Sequence, residues 1–296
     1  MEAARIPQFR VDGRQLGLVG LLLGLSVVGW LIIDGRMRGM DAGPGTDPGT
    51  LGFYVGVWVV MMAAMMFPSI APMIVVYARI QRKRREQGKA RSGAVAVGLF
   101  VGGYLASWTA FGLAAYGLLE LGRALSIDAL DWDAAGPYVA GGVILAAAVY
   151  QLTPAKDVCL RKCRGPLDFV LGYWKPGNGG ALRMGLEHGA WCVGCCWALI
   201  AALFALGVMS LGWMAFVAAL IAIEKLLPWK ALANRGIAIL LLVLGLAVAF
   251  VPDRVPGLTL PDSATAMMHG DHPASPSGEH EGGSGDHYSM VRGGAR

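Results

Sequence analysis

The chain is written in long apolar runs separated by short polar connections, and seven such runs stand out, at residues 16–33, 51–77, 93–119, 138–152, 182–207, 213–227 and 236–251. Within them apolar residues follow one another continuously, without the strict alternation of a barrel strand, and most come near the roughly 20 residues that a helix needs to cross a bilayer. A bilayer core admits only helices or closed barrels, because every backbone N–H and C=O must find its partner inside the protein. The pattern therefore predicts an all-α fold, a polytopic transmembrane helical bundle of about seven helices, with the 138–152, 213–227 and 236–251 runs short. At Pro252 the pattern stops. Residues 252–296 turn to Gly, Ser, Pro, Asp, Glu and His, a composition that cannot bury a core. The chain thus divides into a helical bundle, 1–251, and a disordered His/Gly-rich carboxyl tail, 252–296.

Composition supports the membrane class: 55% of residues are hydrophobic, 15% are charged, and the mean hydropathy is +0.54, which excludes an ordinary soluble domain. The net charge of +5 would suit nucleic acid, but its carriers lie in short connections. Arg79, Arg82, Lys83, Arg84, Arg85, Lys89 and Arg91 follow the second run, and Lys156, Arg161, Lys162, Arg164 and Lys175 separate the fourth from the fifth. This is the charge bias that sets membrane orientation, and it puts both connections in the cytoplasm. The amino terminus, with Arg5, Arg10 and Arg14, falls there too; connections 34–50 and 120–137 fall outside, and seven crossings leave the carboxyl tail outside. The first run continues into Asp34-Gly35-Arg36 without a small-residue cleavage site, so it reads as an anchor.

The candidate chemistry is concentrated in Gly185-Leu186-Glu187-His188-Gly189-Ala190-Trp191-Cys192-Val193-Gly194-Cys195-Cys196-Trp197. At helical spacing His188, Cys192 and Cys195 form an i, i+4, i+7 stripe with Cys196 beside it and Glu187 one turn before Trp191. Ionisable groups in a bilayer face protein or water, so Glu187 and His188 are functional candidates. Cysteine also packs as a small hydrophobe, which is the competing explanation for any one of these thiols. On the second run Met62, Met66, Ser69 and Met73 make a second stripe, flanked by Met61 and Met65. Methionine is a common gap-filler, yet Pro68 and Pro72 free carbonyls that must be satisfied internally. Counting inward at about 1.5 Å per residue puts Met62 and Met66 at the depth of the cysteines, near mid-membrane. The second and fifth runs are therefore expected to touch. Cys159 and Cys163 are four residues apart in a basic setting that suits a metal or redox role. Glu224 and Lys225 close the sixth run, either as a snorkelling end or with Glu224 facing Glu187 and His188. The tail carries His269, His272, His280 and His287 among carboxylates and methionines, which fits metal capture or simple solubilisation.

Four segments together resemble the bacterial family of predicted metal-binding integral membrane proteins known as DUF2182. They are Met61-Met62-Ala63-Ala64-Met65-Met66-Phe67-Pro68, Tyr150-Gln151-Leu152-Thr153-Pro154 with Cys159 and Cys163 after it, Cys192-Val193-Gly194-Cys195-Cys196-Trp197, and Glu224-Lys225. The resemblance covers the bundle and not the tail. It implies a metal-binding protein of the bacterial cytoplasmic (inner) membrane and names no reaction.

The expected function is binding of a soft transition metal, with possible transport or delivery, through Cys192, Cys195, Cys196, His188, Glu187, Met62, Met66, Cys159 and Cys163. Thiolate with thioether suits Cu(I), whereas three thiolates and His188 would make a Cys3His zinc site. The expected partners are the lipid bilayer, the metal ion and another membrane or periplasmic protein; no nucleic acid is expected. Two rivals stand beside this: an accessory membrane subunit whose cysteines and methionines only pack, and a membrane thiol oxidoreductase using Cys192 and Cys195 with Cys159 and Cys163. With no nucleotide fingerprint and no Ser-His-Asp arrangement, the balance is against an enzyme.

Overall fold

The structure, a computed structural model, describes residues 13–37, 50–88, 93–125, 135–207, 210–227, 229–255 and 258. The basic residues Arg5, Arg10, Lys89 and Arg91, the four tail histidines and most of the two connections expected outside lie beyond the described residues. Among those described, the elements are α1 (Gly13–Met37), α2 (Leu51–Glu86), α3 (Gly93–Ala124), α4 (Gly136–Tyr150), α5 (Pro154–Arg164), α6 (Pro166–Gly172), α7 (Gly177–Leu206), α8 (Leu211–Leu226), α9 (Lys230–Phe250) and a 3-10 turn at Pro252–Arg254. The all-α expectation holds. The count of about seven is not reached among the described residues: five helices, α1, α2, α3, α7 and α9, are long and apolar enough to cross a membrane, and a sixth span exists if α4 and α5, bent by 68°, are taken together. The difference is one of length. The 15 residues of α4 and the 16 of α8 reach only about 22–24 Å at 1.5 Å per residue, short of the roughly 30 Å hydrocarbon core.

Local chemistry explains the break between α4 and α5. Pro154 has no N–H to continue the α4 ladder but suits the first turn of a new helix, and Thr153 caps that helix by accepting from the Lys156 N–H at 3.3 Å. The chain therefore turns, and α5 is laid against α7. In α2, by contrast, two prolines do not end the helix. Pro68 leaves the Ala64 carbonyl without its helical donor, and Ser26 of α1 donates to that oxygen at 2.5 Å. The one polar residue within the apolar body of α1 thus supplies what the proline removes.

The tightest packing is between α3 and α7. A Cβ at Gly103 would overlap the Leu182 carbonyl oxygen, and one at Gly185 would overlap that of Phe100, so small residues let the two backbones meet. Ser107 donates across the seam to Leu186 O at 2.9 Å. Besides α3, the main neighbours of α7 are α4 and α5, while α2 packs chiefly on α1 and α3. Where α2 does meet α7, Trp58 stacks on Phe204 with ring centroids 5.9 Å apart.

Candidate metal centre

Cys192, Cys195 and Cys196 are all buried on α7, as their place on its inward face requires. The turn at Pro154 brings a second helix of thiols to them. Cys163 Sγ lies 3.6 Å from Cys195 Sγ, and Cys195 Sγ lies 3.4 Å from Cys196 Sγ. The sulfurs of Cys163, Cys192 and Cys195 are all within 4.8 Å of one another, a spacing at which they could hold one metal ion. Cys159 packs one turn away, against Gly194, where an added Cβ would come within 2.9 Å of its Sγ. The pair that the sequence leaves in a connection is therefore part of the α7 cluster. All five cysteines are free thiols.

Two side chains from other helices hold Cys192. Lys225 of α8 donates from Nζ to its Sγ at 2.9 Å, and the Tyr104 hydroxyl of α3 shares a hydrogen bond with the same sulfur at 3.1 Å. Next to Lys225, Glu224 turns the other way and takes both of its hydrogen bonds, 2.8 and 2.9 Å, from Lys156 Nζ of α5. That ion pair is 1% and 0% exposed. Neither reading of the α8 end survives, because the turned-back α5 places Lys156 under α8: Glu224 neither snorkels to water nor faces Glu187 and His188. Within the cluster the charges of Lys156 and Glu224 cancel. Lys225 is left as the cation directed at the thiols.

A family described as PpoB2: Copper chaperone matches residues 55–248. The chain belongs to this copper chaperone family. No curated protein and no solved structure matches it. The match runs from α2 into α9, so it takes in every cysteine and both residues that hold Cys192, and it leaves out the tail and all of α1. The resemblance seen in the sequence holds at the level of a copper-related family; the match does not carry the DUF2182 name.

For a copper chaperone the donor set is chemically apt. Thiolates are soft ligands that select soft ions such as Cu(I), and three sulfurs from two helices surround a point better than any set from one helix. The other expected ligands are placed differently. Glu187 is held by Lys175 at 2.5 Å and Arg183 at 3.1 Å, an arrangement that ties the start of α7 to the segment before it. His188 is buried in an aromatic box, with Phe169, Phe100 and Tyr104 centroids at 4.9, 5.9 and 6.0 Å, and its Nδ1 has no hydrogen-bond partner. Neither belongs to the group of ligand atoms within 4.8 Å. Met62 and Met66 are fully buried on α2. Lys225 and Tyr104 are the residues that sequence reasoning missed as parts of the site. A phenol and an ammonium set in apolar helices were the available signals.

Proposed function

We propose that this copper chaperone is an integral membrane protein that binds Cu(I) as cargo on Cys163, Cys192 and Cys195 and passes it on by thiolate exchange. The carrying observation is the approach of these three sulfurs, from two different helices, to within 4.8 Å of one another. Delivery needs a low-coordinate site, and Cu(I) accepts few soft ligands where Zn(II) asks for four donors. In an exchange step an incoming sulfur forms a Cu–S bond as one of the resident bonds breaks, and the metal stays Cu(I) throughout. Cys196, 3.4 Å from Cys195, and Cys159, against Gly194, are the adjoining sulfurs through which the ion enters or leaves. His188, one helical turn before Cys192 on α7, is a buried neighbour of the site, while Glu187 acts in its ion pairs rather than as a ligand. The bundle 1–251 carries the site, the tail 252–296 captures metal with its four histidines, and the receiving partner is a membrane or periplasmic protein of the bacterial inner membrane.

Depth enters this proposal as well. Cys192 stands five residues, about 8 Å, beyond Glu187, whose partner Arg183 is 68% exposed. Charged groups avoid the bilayer centre, so the sulfurs sit one to two turns below an interface rather than at mid-membrane, within reach of a soluble donor.

The test is metal content under reducing conditions for protein cut after residue 251. One tightly held Cu(I) per chain is expected, lost in Cys192→Ser, Cys195→Ser and Cys163→Ser. Tail-deleted protein with its cysteines intact that takes up no Cu(I) would sink the proposal.

A further inference from the structure

A second feature of the bundle lies away from the sulfurs. Between α1, α2 and α3 is a cavity of about 610 Å³, and its lining changes character along its length. One face of α2 supplies Phe67, Ile74 and Ala78 and then, at the same helical spacing, Arg79, Arg82 and Arg85; Arg14 of α1 joins them at that end. The placing of these arginines is selective. Within the same basic run Arg84 is turned away, over the Trp174 ring at 4.7 Å, and Lys83 does not line the cavity.

We propose that this groove binds one anionic phospholipid, its acyl chain along the apolar stretch and its phosphodiester headgroup among Arg14, Arg79, Arg82 and Arg85. From Phe67 to Ala78 is eleven residue steps, about 16 Å, which matches half of the roughly 30 Å hydrocarbon core. The guanidinium groups thus begin where one leaflet's hydrocarbon ends. Arginine is suited to this task because its planar fork engages phosphate oxygens in pairs, and basic pockets between transmembrane helices recognise anionic headgroups. Arg82 also pairs with Glu86 at 3.5 Å, a surface contact that an anion can share or displace. The apolar shaft is what selects a lipid over free phosphate: a small anion would fill only the arginine end. This inference rests on the membrane placement of the chain and not on copper.

The experiment is native mass spectrometry of the full chain in detergent, titrated with phosphatidylglycerol and, separately, with phosphatidylcholine of the same acyl chains. One phosphatidylglycerol is expected to bind at least tenfold more tightly than phosphatidylcholine. Arg79→Gln with Arg82→Gln should weaken it about thirtyfold, since each basic group near an anionic lipid surface contributes about fivefold. Lys83→Gln, outside the groove, should leave it unchanged. Gly98 lines the cavity with nothing within 4 Å of an added Cβ, so Gly98→Phe fills the shaft while keeping every charge and should also remove the lipid. Each variant is compared at the same gel-filtration position as the parent. Equal binding of the two lipids, retention in the double arginine variant, retention in Gly98→Phe, or displacement by millimolar inorganic phosphate would overturn the proposal. So would a groove filled by the chain's own residues 1–12, seen as lipid binding that appears only when they are removed. Copper content reports separately on the thiol cluster, so failure of one reading is not failure of the other.

Discussion

Cys192 is the sulfur whose surroundings are most specifically built, and Lys225 is the reason. A hydrogen bond to an ionised group contributes about 1.5–3 kcal/mol, against about 1 kcal/mol for a neutral one. In the proposed copper site Lys225→Met should therefore lower Cu(I) affinity by about 10- to 100-fold, and Tyr104→Phe by about fivefold. Competition against a Cu(I)-specific chelator reads both. Equal affinities in Lys225→Met and the parent would show that the ammonium serves packing alone. Residue identity made part of this legible in advance. Three cysteines in five positions announce a soft site whatever the fold, but a lysine at the end of an apolar run has a commonplace explanation in snorkelling. Only the position of α8 against α7 turns it inward.

Among elements, α5 decides the site, and it is held at two points. The first is its contact with α7 at Gly194, where even a methyl group would meet Cys159 Sγ at 2.9 Å. Gly194→Ala is expected to push α5 outward, separating Cys163 from Cys195, and to speed labelling of Cys163 by a thiol reagent. Adding Cys159→Ala makes room for the methyl group and should restore the slow rate; an unrestored double variant would show that α5 is not set by this contact. The second is the Lys156–Glu224 pair. Removing one partner of a buried ion pair costs about 3–5 kcal/mol because the other charge is stranded. Lys156→Met should accordingly lower the thermal midpoint sharply, and Lys156→Met with Glu224→Met should recover most of the loss. A double variant no better than the single would mean that the pair's geometry, rather than its charge balance, holds α5 to α8. The break that creates α5 was half visible in the sequence. Tyr150-Gln151-Leu152-Thr153-Pro154 marks where a helix must stop, but the 68° turn that follows, and with it the meeting of Cys163 and Cys195, is fixed by tertiary packing. The partnership expected between the Met helix and the Cys helix was drawn from matched depth and shared ligand softness. Depth does not say which helices are neighbours, and α3, with its glycine seam, is the one packed most closely against α7.

Among the described residues most of the basic side chains gather at one end, and this bears on orientation whatever the number of crossings. Arg14 of α1 and Arg79, Arg82 and Arg85 of α2 line one cavity; Arg84 lies over Trp174, Lys162 over Tyr173 at 5.3 Å, Lys175 pairs with Glu187, and Arg164 donates to Leu227 O. The start of α1, the end of α2, the start of α7 and the junction of α8 with α9 are therefore on one side. At the other end Tyr138, opening α4, meets Phe250, closing α9, with ring centroids 6.1 Å apart. By the positive-inside bias the basic end is expected in the cytoplasm. Since α1 and α9 both begin there and both are long enough to cross, the amino terminus is expected inside and the carboxyl terminus outside, whether the shorter α4, α5 and α8 are counted as spans or not. A phosphatase that is active only after export, fused behind Arg296, should then be active, and a fluorescent protein that matures only in the cytoplasm should be dark at the same position. The reverse pair of results would place the tail histidines on the cytoplasmic side, where they could not collect metal arriving from outside, and would make the tail a second cytoplasmic ligand for the ion proposed for the thiol cluster.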